Sequence, residues 1–130
     1  MKYKFNEFYS NSFFSIEEGF KDQSDFEDPY YRIVTGDSVI CCVLDSECNF
    51  IMIEQFRPNL NCHTLELPAG GVKPNEEPLE AAKREFSEET GLVADFLYLG
   101  SYHLMMNRIK NKEHIYFGIN PKYQQDILPE

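Results

Sequence analysis

The chain has 130 residues, which suits one domain with one core and leaves little room for a second. Hydrophobic residues make up 42% of it and aromatics 15%, the balance of a folded globular protein and not of a disordered one. A net charge of −10 argues against a protein that grips nucleic-acid backbone broadly, because that affinity comes from Lys and Arg. It leaves a phosphorylated ligand open, since metal ions can sit between carboxylate and phosphate. Apolar runs fall short of a membrane span, and the opening MKYKFNEFYSNSFF lacks the apolar core of a signal peptide, so a cytoplasmic location is expected.

In chain order, aromatic-rich residues 3–9 and 13–18 suggest one or two short strands, and the polar stretch 21–29 a loop. Residues 31–34, 38–44 and 50–56 read as strands rich in Val, Ile and aromatics, with a hairpin connection over 45–49. Cys41 and Cys42 are adjacent in one of these strands and point to opposite faces, while Cys48 and Cys62 stand alone. Without a C-x-x-C pair or metal-ligand spacing, the four read as small hydrophobes in a reducing compartment. Gly70 and Gly71 fall between a strand and a helix, where a sharp turn is expected. Pro78 fits the first position of that helix and Gly91 the residue just past its end. Leu79, Ala82, Lys83 and Phe86 form the expected apolar stripe. Residues 95–104 and 114–119 then read as strands joined by a polar, basic loop over 107–113. Strands, a helix and strands again indicate an α/β or α+β sandwich.

The helix carries Glu85, Glu88 and Glu89 on one side, opposite that stripe. Like charges at this spacing weaken an isolated helix, so fold stability does not ask for them. A solvated acidic face is the plain explanation of such a cluster. Three hard carboxylate donors converging on one point also suit a divalent cation such as Mg²⁺.

The flanking residues decide between these. Gly70, Glu76, Arg84, Glu85, Phe86, Glu88, Glu89, Gly91 and Leu92 fill every fixed and apolar position of the pattern GX5EX7REUXEEXGU, in which U is apolar. The chain thereby resembles the Nudix hydrolases. That resemblance implies an α/β/α sandwich with a mixed β-sheet, the box forming a loop–helix–loop, within one domain over 1–130. Residues 1–28 would supply N-terminal strands and a loop that joins two subunits as a homodimer. The chain stops soon after its last expected strand, so either a closing C-terminal helix is missing or the fold is a minimal version.

The resemblance also implies chemistry: hydrolysis of a nucleoside diphosphate linked to another group, with Mg²⁺ or Mn²⁺ as cofactor. Glu85, Glu88 and Glu89 would hold the metal, joined by the backbone carbonyl of Ala69. Glu85 and Glu88 would act in catalysis, with Arg84 and Glu76 orienting the carboxylates. Segments 66–70 (ELPAG) and 54–58 (EQFRP) further resemble the ADP-ribose pyrophosphatase group, which yields a nucleoside monophosphate and a sugar phosphate. Arg57 would then reach the substrate phosphates, Glu66 would sit near the metal or the sugar, and Gly70 and Gly71 would approach the substrate side. Glu113 is the best-placed loop acid for a general base, with His103 and His114 more plausible as strand residues. Tyr30, Tyr31, Phe56 and Tyr102 could stack on a base, though most of the aromatics belong to the core.

Two departures from that group bear on the substrate. Asn75 stands where glycine is usual, and Asn107 and Arg108 occupy a region where ADP-ribose hydrolases often carry proline. Another nucleotide sugar therefore stays open as the substrate. So do a Nudix enzyme of nucleoside triphosphates and a non-catalytic nucleotide sensor, although a sensor would be expected to have lost box carboxylates.

Overall fold

The computed structural model describes residues 3–21 and 29–124. Along the chain these form β1 (Lys4–Ser10), β2 (Phe14–Phe20), β3 (Tyr30–Thr35), β4 (Ser38–Val43), β5 (Ile53–Arg57), β6 (Cys62–Glu66), β7 (Ala69–Gly71), α1 (Pro78–Thr90), β8 (Leu92–Tyr102), β9 (Ile109–Lys110) and β10 (Glu113–Tyr123). They divide into two compact units: Met1–Asp37 with Tyr102–Glu113, and Ser38–Ser101 with His114–Glu130.

The first unit is a sheet of order β1-β2-β3-β9. β1, β2 and β3 are successive antiparallel neighbours, and β9 adds in parallel to β3. The β1–β2 turn is set by Asn11, whose Oδ1 accepts the Phe13 and Phe14 N–H groups at 2.7 and 3.0 Å. An Asn side chain can replace a backbone acceptor in this way, which is why it punctuates strands. Across β2 and β3, Arg32 pairs with Glu17 through Nε at 2.7 Å, and its guanidinium lies 3.4 Å from the centroid of the Phe5 ring.

The second unit holds a sheet of order β7-β4-β10-β8 and the separate antiparallel hairpin β5-β6. β4 alternates buried Val39, Cys41 and Val43 with half-buried neighbours, the period-two signature of a strand with one fully covered face. That covered face meets Ala81, Ala82 and Phe86 of α1, with Tyr116 of β10 completing the core. Two alanines in succession let the helix approach the sheet closely, and Phe86 fills the space beside them. Its ring stands edge-on to Phe96 at 5.7 Å, and Phe96 stands edge-on to Tyr116 at 6.3 Å. At Gly118 a Cβ would lie 2.8 Å from Cγ2 of Val43, so β10 can pass there only as glycine.

The helix ends are those the sequence announces. Pro78 occupies the first turn, and Gly91 takes φ 71°, a left-handed cap whose N–H reaches the Ser87 carbonyl at 2.8 Å. The apolar stripe differs: Ala81 is buried, whereas Leu79 is 36% exposed. Ala81, Ala82 and Phe86 face the sheet because β4 lies to that side of the helix, a fact that helical spacing alone does not contain.

Other expectations shift too. The strand expected over 50–56 begins only at Ile53, and Phe50 makes a single bridge to Leu44. β6 was hidden by its polar residues; Asn61, at φ 53°, closes the turn that folds it onto β5. β8 starts directly after the helix cap, earlier than residue 95. The fold is a mixed α+β architecture, and one helix covers its second sheet among the described residues. The opposite helical layer of an α/β/α sandwich is not among them. The loop expected over 21–29 falls mostly outside the described residues, as does the stretch after 124 in which a closing helix would be sought. All four cysteines are free, and burial pushes the Cys41 thiol up to about 12, which makes it a core group and not a nucleophile.

Candidate active site

The site grows from the junction of β7 and α1. The connecting loop turns through Asn75 at φ 64°, a left-handed conformation that Asn tolerates in place of glycine. Glu76 follows, and its Oε2 accepts the Lys73 N–H at 2.9 Å, closing the loop on itself. From nearly two turns into the helix, Arg84 reaches back to that carboxylate. Its Nε bonds Glu76 Oε1 at 2.8 Å and its Nη2 bonds Glu76 Oε2 at 2.8 Å, a two-pronged pair. The same guanidinium reaches Glu85 Oε1 at 2.6 Å through Nη1, Glu88 Oε2 at 3.4 Å through Nη1, and the Gly71 carbonyl at 2.9 Å through Nη2. Arg84 is thus a hub that binds loop, strand and helix at once. Its fork holds the Glu76 carboxyl down at about 2, helped by the Lys73 N–H, and the carboxylates in turn raise the Arg84 pKa above its ordinary range.

Gly70 and Gly71 are not the sharp turn expected of them. They lie in β7, antiparallel to β4, with Gly70 opposite Val39 and Gly71 opposite Ser38. Glycine is needed at 70 for a different reason: a Cβ there would fall inside the Glu85 carboxylate. The strand opens a cradle into which the helix extends its acid, and no larger residue leaves that space.

Glu89 is held apart from Arg84. Gln55 Nε2 donates to its Oε1 at 2.7 Å, and the Ala69 N–H donates to its Oε2 at 3.1 Å. Beside this contact the hairpin carries Arg57, whose Nε bonds Glu66 Oε1 at 2.7 Å while Nη2 also pairs with Glu66 Oε2. Thr64 donates to the same carboxylate. Arg57 first, then Thr64, hold the Glu66 carboxyl down at about 2. Glu66 therefore orients Arg57 in this structure.

Glu113 belongs to the first unit, and its carboxylate accepts the Tyr102 hydroxyl at 2.6 Å, whereas the box belongs to the second unit. His103 Nδ1 contacts the Asn111 carbonyl, and the His114 ring lies 6.1 Å from that of Tyr98. Tyr30 bonds the Asn107 carbonyl through its hydroxyl, and Phe56 meets His63 edge-on at 5.5 Å. Gln55, Thr64 and the Gly71 carbonyl are contacts that the sequence did not assign. Period-two alternation along β5, which puts Gln55 on the same face as Arg57, was the available signal for the first.

Among the described residues no three His, Cys, Asp or Glu side chains surround one point as a metal site does. In this arrangement Glu85 and Glu88 accept from Arg84, and Glu89 accepts from Gln55 and from the Ala69 N–H. The donor set itself suits Mg²⁺ or Mn²⁺, being hard carboxylate oxygens on adjacent helical turns. Glu85 and Glu88 already share one cationic nitrogen, and the Gly70 cradle keeps Glu85 against the strand.

The NUDIX domain model matches residues 34–128, and the chain belongs to that family. It is similar to an ADP-sugar pyrophosphatase of Mus musculus, 48% identical over 48 residues that cover 37% of this chain and 22% of the relative. It is also similar to an ADP-ribose pyrophosphatase of Bacillus subtilis (strain 168), 40% identical over 57 residues that cover 44% of this chain and 31% of the relative. The matched stretch thus spans less than a third of either relative. Among solved structures, one described as an ADP compounds hydrolase superimposes with a TM-score of 0.79 at 20% identity, covering all of this chain and 75% of the other. That likeness is one of fold.

Proposed function

We propose that this protein is a metal-dependent pyrophosphohydrolase that cleaves the diphosphate of ADP-ribose or another nucleotide sugar into a nucleoside monophosphate and a sugar phosphate. The observation that carries the reading is the Arg84 hub, which gathers Glu76, Glu85 and Glu88 at the Gly70 cradle. The ADP-sugar and ADP-ribose pyrophosphatases among its relatives support the substrate class.

Glu85, Glu88 and Glu89 would hold Mg²⁺ or Mn²⁺, with the Ala69 carbonyl as a further donor. A cation so held supplies charge neutralisation at the diphosphate and a more acidic water. Arg84 and Glu76 keep the helix acids oriented toward β7. Arg57, with Nε and Nη2 fixed by Glu66, retains Nη1 for a substrate phosphate. Glu113 is our candidate for the general base, with the Tyr102 hydroxyl holding its carboxylate.

The protein is further proposed to act in the cytoplasm as a homodimer, without a nucleic-acid partner. Exposed apolar residues of the first unit, among them Phe8, Tyr31, Ile33 and Met105 around a cavity of about 520 Å³, support the dimer, which light scattering would detect. No helix of the described residues is long and apolar enough to cross a membrane.

The test is a panel of nucleotide sugars, ADP-ribose and nucleoside triphosphates incubated with the full chain and Mg²⁺ or Mn²⁺, with products identified by mass. Nucleoside monophosphate and sugar phosphate are expected from a nucleotide sugar. Turnover of triphosphates alone would overturn the substrate class. An inert protein would overturn the enzyme and favour a nucleotide sensor. Glu113→Gln should lower turnover while Mn²⁺ binding stays intact, and unchanged turnover removes Glu113 from the mechanism.

A further inference from the structure

We infer that Gln55 is a positioning residue that holds Glu89 ready for the cation, an inference that rests on the metal reading above. Arg84 spends its guanidinium on Glu76, Glu85, Glu88 and the Gly71 carbonyl. Glu89 differs from the other acids of this cluster. Its two oxygens are held by neutral donors, the Gln55 amide at 2.7 Å and the Ala69 N–H at 3.1 Å.

The difference matters chemically. A guanidinium orients a carboxylate and also neutralises it, so a metal has to compete with the arginine for the same charge. An amide orients the carboxylate and leaves its charge in place. Each carboxylate oxygen offers two lone pairs, so one hydrogen bond on each leaves one free on each. Glu89 is therefore both fixed and available. Only the NH₂ side of the Gln55 amide can face a carboxylate, so the identity of the donor is set by chemistry.

The hairpin fixes Gln55 in turn. Thr64 stands opposite Gln55 in the β5–β6 register, and its hydroxyl oxygen lies 3.3 Å from the Gln55 backbone carbonyl oxygen while its proton goes to Glu66. Arg57, the neighbouring cation on the same strand face, is turned onto Glu66 by a two-pronged pair. The hairpin thus presents an uncharged hydrogen-bond donor to Glu89, while its arginine hydrogen-bonds another acid.

The test uses the full chain and Mn²⁺, whose free concentration is read by electron paramagnetic resonance. Gln55→Met keeps length and removes the donor, and Mn²⁺ binding should weaken by about 10- to 100-fold, the usual effect of losing a residue that orients a metal ligand. Gln55→Thr, a strand-favouring residue too short to reach Glu89, replaces it if the methionine variant misfolds by circular dichroism. In a Glu89→Gln background the same substitution should change Mn²⁺ affinity less than about twofold, because a residue acting through Glu89 has nothing left to orient. A folded Gln55→Met protein with wild-type affinity overturns the inference alone, as does an equal loss in both backgrounds. A wild-type protein that binds no Mn²⁺ overturns the metal reading and this inference together.

Discussion

Gly70 and Glu85 show how one missing carbon can carry a function. The Cβ of any other residue at position 70 would collide with the Glu85 carboxylate, while nothing within 4 Å crowds Gly71. We expect Gly70→Ala to leave the protein folded and to lower kcat/KM by about 100-fold, the scale of a misplaced catalytic group. Steady-state kinetics with a thermal melt would check it, and a fall in Tm without a fall in kcat/KM would refute it. Glu76 and Glu66 make a second case. Both are held at about 2 by their arginines, against an ordinary 4.5. A carboxyl whose pKa is depressed by folding stabilises the fold above its unfolded pKa and loses that contribution as pH falls toward the folded value. The window is therefore about pH 4.5 down to about pH 2. Replacing both by Gln should lower Tm at neutral pH and flatten its fall across that window. Melts between pH 7 and pH 2 would show it.

At the scale of elements, α1 serves the core with one face and the site with the other. Ala81, Ala82 and Phe86 pack on β4, and that contact fixes the helix so that Arg84 can reach Gly71. Phe86 is fully buried against the sheet, edge-on to Phe96 of β8. Phe86→Ala should cost about 3–5 kcal/mol, a large part of the stability of a domain this size. Urea unfolding should show a much lower midpoint, and a shift under about 1 kcal/mol would mean that the core collapses to fill the space. The helix itself was legible because Pro78, Gly91 and the box residues each have a local cause. β6 was not, because His63, Thr64 and Glu66 are polar for reasons that lie across the hairpin and beside Arg57. Gly70 misled for the same kind of reason. Glycine suggests a turn, but here it answers to a side chain from another element.

For the whole molecule, a net charge of −10 means that the acids repel one another except where a cation intervenes. Arg84 is that cation within the cluster, and Glu89 lies outside its reach in hydrogen bonding. Mg²⁺ should therefore stabilise the fold as well as activate it. At 100 times its Kd, binding adds about 2.7 kcal/mol to the stability of the folded state. A thermal melt should rise with Mg²⁺ and return with EDTA, and Glu89→Gln should reduce the rise. An unchanged melt at saturating Mg²⁺ would contradict a site in the native fold.

By itself the sequence determined the helix, its two ends, the metal-suited acids and the family pattern, because each depends on residues close along the chain. Asn75 could be read as a left-handed residue for the same reason. Which acid faces which partner depended on contacts between different elements of the fold. Glu76 meets Arg84 across the turn before the helix, Glu66 meets Arg57 across a hairpin, and Glu89 meets Gln55 from a strand 34 residues earlier. Spacing fixes the face of a helix that a residue occupies. Only the packing of β5, β6 and β7 beside α1 decides what that face meets.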